Sequence, residues 1–413
     1  MPKQAWIGPE DRIGKHVDDF LTHGGTVSSG DLLSITNIEV FRLSPRLVLV
    51  KVSTDASVVG WGEATLEGRA ETVAATVLEL CDPLIGTDPM PVERHWHILA
   101  KGGFYRGGPV LGSAVAGLDQ ALWDIRGKVL VAPVHVLLGG PVRDSIRVYA
   151  HANVDDVAEL CERAAALVAI GYTALKTAPP AILGFIDTPA ATHALVDRWT
   201  TLREAVGPGV DLAMDFHGRV SGPMARRLLP LLEPILPLFV EEPLPPEYSA
   251  ELARVVDSTS IPIATGERLY SRWDVRPVID SGIAILQPDV SHAHGISETM
   301  RIASLAELHH VGLAPHCAAG PVAFAASLQV DFAAQNAFIQ ESPVVLHDPA
   351  GSPSLQLLRA PDVFTFSGGV VQRLTGPGLG VDIDEDAVRA YAATPDGGSS
   401  PVWIASDGAF TEW

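Results

Sequence analysis

Cysteine is scarce in this chain, and positive charge falls well short of negative. Its 413 residues include 3 cysteines, Cys81, Cys161 and Cys317. Odd in number and far apart, they exclude a disulfide framework and a cysteine-rich zinc site, and they point to a reducing compartment. Lys and Arg number 29 against 49 Asp and Glu, a net charge of −20 with the 14 His neutral. Protonating every His would still leave the chain acidic, so it lacks the basic face that displaces counterions from nucleic acid, and no nucleic-acid partner is expected. Long apolar runs are also missing. The longest stretch without Asp, Glu, Lys or Arg lies between Glu307 and Asp331, but His316, Pro315, Pro321 and two glycines interrupt it, so no membrane span is expected. The opening residues MPKQAWIGPEDRIGKH carry acids where a signal peptide needs an apolar core, and a cytoplasmic location is expected.

What is present is an ordinary folded composition, 47% hydrophobic and 19% charged, on a chain long enough for two or three domains. Residues 1–32 read as a polar lead-in ending in the loop-type cluster THGGTVSSGD. ITNIEVFRL, RLVLVKVST and SVVGWGEAT then give three β-rich runs, followed by the helix-spaced segments AETVAATVLELCDPL and GSAVAGLDQALWDIRGKVL. Residues 33–147 are therefore expected to form an α+β unit.

Over 148–345 the pattern becomes short apolar runs, each followed by a helical segment: VYAHA, TALKT, DLAMDFH, LFVEE, IPIATGE, AILQPD, GLAPH and FIQES. Eight βα units, with no Gly-rich phosphate fingerprint on the first helix, suit a (β/α)₈ barrel better than an open doubly wound sheet. The segment 346–413 is expected to pack back on the first domain.

Polar residues recur at the C-terminal ends of these runs: Asp215, Glu241, Glu267, Asp289, His316 and Glu341, one per βα unit. In a barrel those ends converge on one face, where the chemistry of such folds resides. Helix capping explains any single one, but capping selects small polar residues and has no need for Glu deep in an apolar run. Asp215, Glu241 and Glu267 form an all-oxygen set, which favours Mg²⁺ over Zn²⁺. Strand alternation places His217 on the same face as Asp215 with Phe216 turned away. His316 follows Asp289 by one unit, so a neighbouring carboxylate can orient its imidazole and raise its basicity. Parity leaves open whether Glu241 or Glu242 meets the metal. Lys176 lacks a second lysine on its face and reads as an electrostatic or structural cation.

The segments GWGEATLEGR, FYRGGPV, DFHGR, EEP, GERLYSR, ILQPD, APH and QES, in this order, resemble the mandelate racemase and muconate lactonizing branch of the enolase superfamily, most of all its D-galactonate dehydratases. The resemblance runs from Ile35 to Trp413. It implies an α/β fold, a modified (β/α)₈ TIM barrel under an α+β capping domain made by both chain ends. It makes Asp215, Glu241 and Glu267 the Mg²⁺ ligands and His316 the base, with Asp289 raising its basicity. It makes His217 the acid that protonates the departing 3-hydroxyl and Glu341 the group that stabilises the enediolate. Arg46, Tyr105, Arg106, Lys176 and Arg268 fall at positions implied to contact substrate.

The implied activity is dehydration of an aldonate, D-galactonate first, to a 2-keto-3-deoxy acid by a homo-oligomeric enzyme. A racemase or epimerase using the same two His, and a barrel that only binds a sugar acid, are the alternatives. The chain departs from the branch at Leu47, where an aromatic is usual near the distal end of the substrate, and at Thr177 and Ala178, where Leu-Asn usually follows the lysine. Residues 1–32 are also absent from typical members.

Overall fold

The computed structural model describes residues 33–43, 46–179, 183–343, 346–392, 402–405 and 407–411. The lead-in 1–32 lies outside them. The strands Ile35–Leu43, Leu47–Thr54 and Val59–Glu63 form an antiparallel meander. The helix Pro109–Val129 packs across it. Gly60 and Gly62 permit the approach, because a Cβ on either would lie 2.1 Å and 1.9 Å from carbonyl oxygens of that helix.

The eight predicted strands are present as Ser145–His151, Ala174–Thr177, Asp211–Asp215, Phe239–Glu241, Ile263–Thr265, Ile285–Leu286, Gly312–Leu313 and Gln340–Glu341. The first seven pair in parallel in chain order. The eighth joins its predecessor through a bridge from Leu313 to Ala337 and the first strand through Gln340↔Val148 and Glu341↔Tyr149, which closes the barrel. Local chemistry starts the outer helices: Asp156, Thr188, Ser221 and Ser271 each accept a backbone N–H as N-cap residues.

One buried residue from each strand or its edge fills the barrel interior: Tyr149, Ala174, Ala213, Phe239, Ala264, Ile285, Ala314 and Ile339. Four alanines and four large side chains make up this packed floor. Because side chains on one face recur every second residue, the next inward layer is His151, Lys176, Asp215, Glu241, Gly266, Gln287, His316 and Glu341. Asp215, Glu241, His316 and Glu341, four of the predicted metal and catalytic residues, belong to that layer.

Buried carboxylates fasten cap to barrel. Glu63, ending the third cap strand, accepts N–H groups from Gly320 at 2.6 Å and Ala323 at 2.9 Å, at the start of the helix Pro321–Ala333. Asp119 accepts the Ser297 N–H and hydroxyl at 3.0 and 2.6 Å. The C-terminal segment touches both units. Its helix Glu385–Ala392 reaches the cap through Lys51–Glu385 at 2.8 Å and Arg389–Glu39 at 2.8 Å. Its strand Val370–Gln372 pairs antiparallel with the start of the first barrel strand, a contact that the sequence pattern did not indicate.

Candidate active site

Strand register brings the acids together. Asp215 stands opposite Glu241 across neighbouring strands, and His151 stands opposite Lys176. The Lys176 ammonium, 2% exposed, lies 2.9 Å from both Glu241 oxygens, 2.8 Å from Glu341 Oε1 and 3.7 Å from Asp215 Oδ2. It is a buried counter-ion for three carboxylates. Glu242 turns away at φ 45° and accepts from Thr265 and from Arg268, whose Nε is 2.9 Å distant. The two glutamates therefore divide: Glu241 faces the lysine and Asp215, and Glu242 holds an arginine.

Glu267 reaches the site differently. The inward position on its strand is Gly266, where φ is 150° and a Cβ would stand 2.7 Å from the Gln287 nitrogen, so no side chain fits. The chain turns there and presents Glu267 one residue later. Burial pushes its carboxyl up, but the charges of His316, His217, Lys176 and Arg268 outweigh that and bring it down to about 2. Burial also pushes Glu241 well up; Lys176 opposes this, and Asp215, Glu341 and Glu267 reinforce it.

His316 Nδ1–H donates to Asp289 Oδ2 at 2.7 Å, one βα unit earlier in the chain. That contact leaves Nε2 toward the acids, 3.4 Å from Glu267 Oε2 and 3.7 Å from Glu341 Oε2. Burial lowers the imidazole's basicity, but Glu267, Glu341 and Asp289 raise it well above the ordinary histidine range. Asp289 is held low: burial pushes it up, and His292 and His316 outweigh that.

His217 also enters the site, though not by strand alternation. Its strand ends at Asp215, and a left-handed turn at φ 56° swings the ring inward while Asp215 Oδ1 accepts its N–H at 2.8 Å. Phe216 points into the core and stacks on Trp199.

A cavity of about 330 Å³ under the cap is lined by Arg46, Glu67, His217, Glu267, Arg268, Tyr270, His292 and His316, among others. Arg46 is held by Glu67 at 2.8 Å and by the Ala318 carbonyl at 3.1 Å. A larger cavity of about 780 Å³ lies between the 219–223 segment and the residues Ala405 and Asp407 to Thr411, but none of the predicted catalytic residues lines it.

Tyr105 and Arg106 are not brought to the smaller cavity. Their glycine-flanked loop projects outward, leaving Tyr105 89% exposed against Phe104, and Arg106 bonds the Gly103 carbonyl of its own loop. Leu47 is buried in the core instead of facing the cavity. Three residues at the site went unnoticed in the sequence. His151 lies 2.7 Å from Glu341 Oε1. Gln287 is buried with both amide atoms unpartnered among the described residues. His292 bridges Ser113 Oγ at 3.1 Å and Asp289 at 3.7 Å. Counting two residues on from each inward apolar residue would have found the first two.

Among the described residues, no three His, Cys, Asp or Glu side chains stand close enough to form a ready-made cation shell. In donor chemistry, Asp215, Glu241 and Glu267 still fit a hard divalent cation. They are oxygen donors from three adjacent strand ends, they repel one another, and the orphaned Gln287 amide belongs to the same layer.

Residues 40–139 match the mandelate racemase/muconate lactonizing enzyme N-terminal domain, and residues 158–387 match the enolase C-terminal domain-like family. A D-galactonate dehydratase of Cronobacter sakazakii (strain ATCC BAA-894) is 46% identical over 382 residues, 92% of this chain and all of that protein. An enolase from Agrobacterium radiobacter, solved with Na and L-malate bound, superposes with a TM-score of 0.85 at 30% identity over 92% of this chain and 99% of its own. A mandelate racemase/muconate lactonizing enzyme from Sulfitobacter sp. gives 0.81 at 30% identity over 89% and 99%. With a capping meander, a closed barrel and acids on successive strand ends, this chain belongs to the mandelate racemase/muconate lactonizing branch of the enolase superfamily.

Proposed function

We propose that the chain is a Mg²⁺-dependent acid-sugar dehydratase with D-galactonate as its leading substrate. The observation that carries this reading is the pairing of His316, tied to Asp289, with His217 on the wall of one cavity beside the acids. Loss of water from a hydroxy acid uses a base that takes the α-proton and an acid that protonates the leaving hydroxyl, and here two such groups face one cavity. The 46% identity to a D-galactonate dehydratase supports the substrate.

Asp215, Glu241 and Glu267 would hold the Mg²⁺, whose chemistry is to bind the substrate carboxylate and offset the negative charge growing there. His316 Nε2 faces the acids and the cavity, where the α-proton of a bound substrate would lie. Asp289 keeps Nδ1 and fixes which nitrogen acts. His316 takes the α-proton; His217 gives its proton to the 3-hydroxyl, which leaves as water; the enol then becomes the 2-keto-3-deoxy acid. Glu341 flanks the developing enediolate, and Arg46 and Arg268 line the cavity as cations for an anionic substrate.

Incubation with Mg²⁺ and a panel of hexonates and pentonates should yield a 2-keto-3-deoxy acid, fastest from D-galactonate. Exchange of the α-proton with D₂O and no keto acid from any of them would favour a racemase or epimerase instead.

A further inference from the structure

The mechanism above leaves one histidine of the inward layer unused. His151 ends the first barrel strand, two residues beyond the floor residue Tyr149, and its Nε2 lies 2.7 Å from Glu341 Oε1. Glu341 is fully buried, so each contact it makes governs where its oxygens point. Its other partners are Lys176 Nζ at 2.8 Å on the same oxygen and the Cys317 N–H at 2.9 Å on Oε2. Lys176 is shared, since it also spans both oxygens of Glu241. Of the two side chains on Oε1, only His151 is not also bound to a second carboxylate.

We propose that His151 is a positioning residue for the elimination: its Nε2, in polar contact with Glu341 Oε1 at 2.7 Å, holds that oxygen against the pull of Lys176, so that Oε2 faces His316 Nε2 and the reacting carbon. The inference rests on the dehydratase reading and on the role assigned there to Glu341. The ring is 36% exposed, and its far side borders a cavity of about 240 Å³ with Arg46, Tyr172 and His347. A substrate contact there would show in KM, whereas positioning of Glu341 shows in kcat.

H151F fills the ring volume without a donor, and H151Q returns an N–H at similar reach. H151F should lower kcat on the best acid sugar by about 10- to 100-fold, the size expected for losing one hydrogen bond to a charged group. Its KM should stay within about threefold, and H151Q should recover most of the lost rate. α-Proton exchange in D₂O should slow in parallel with keto-acid formation, since Glu341 serves the enediolate and not the leaving hydroxyl. If H151F does not fold, H151N, too short to reach Glu341, takes its place with the same expectation. Unchanged kcat in the donor-less variant, a rise in KM at constant kcat, or equal losses in H151F and H151Q would each overturn the proposal while wild-type turnover stands. A wild-type chain inert toward every acid sugar would overturn the dehydratase reading, and this proposal with it.

Discussion

Replacing His316 with Asn should lower kcat by about 10²- to 10⁴-fold, the usual contribution of a general base, while the thermal melt stays near that of the parent. The expectation follows from where the ring's two nitrogens are. Nδ1 is tied to Asp289 at 2.7 Å, and Nε2 faces the acids, so Asn can replace the Asp289 contact and cannot replace the proton acceptor. The ring is buried beside Glu267 and Glu341, and both acids keep other cationic neighbours when it is removed, Lys176 at 2.8 Å from Glu341 and Lys176 and Arg268 near Glu267, so the fold should hold. The loss should therefore be visible in kcat at saturating substrate and in the rate of α-proton exchange alike. Steady-state kinetics with the melt as control settles it; an H316N variant with parental turnover would remove His316 from the mechanism.

The second large effect should come from removing the divalent cation. With excess chelator, turnover should fall by at least about 10³-fold, since offsetting the charge on a substrate carboxylate is worth several kcal/mol, and added Mg²⁺ should restore it. Within the protein, Lys176 is the cation shared among Asp215, Glu241 and Glu341, and it is already engaged by all three. It cannot also neutralise a substrate anion. E241Q should weaken Mg²⁺ binding measured by calorimetry, and it should also leave Lys176 with fewer anionic partners. Full activity in chelator would show that the protein's own cations suffice and would overturn the metal assignment.

The strongly acidic composition takes on a different meaning beside these distances. A chain of net charge −20 repels an anionic sugar acid at long range. Locally, Arg46 and Arg268 line the cavity, each already held by a carboxylate, Glu67 or Glu242, so a divalent cation on Asp215, Glu241 and Glu267 would supply the positive charge that an anionic substrate needs there.

Much of the fold was legible because strand periodicity and barrel geometry act together. Each apolar run became a strand, and the residue two places beyond each inward apolar side chain became a site group, as with Ala213 and Asp215 or Phe239 and Glu241. The same rule locates His151 and Gln287, which had looked unremarkable because neither is an acid. It fails where the backbone leaves the strand. His217 enters by a left-handed turn, and Glu267 enters because Gly266 has no room for a side chain, so parity does not describe either. Tyr105 and Arg106 lie away from the cavity for another reason: a loop's direction is set by the packing around it, and this one leaves its aromatic pair exposed. Lys176 could be seen as a lone lysine, but its burial among three carboxylates depends on strands far apart in sequence.

The central claim is that one site holds a base and a separate acid, His316 and His217, that act on adjacent carbons of one substrate. Incubating H217N with D-galactonate and Mg²⁺ in D₂O tests it most directly. Recovered substrate should carry deuterium at the α-carbon, while 2-keto-3-deoxy acid forms about 10²- to 10⁴-fold more slowly than with the parent. Keto-acid formation at the parental rate, or loss of exchange together with loss of product, would contradict the division of labour between the two histidines.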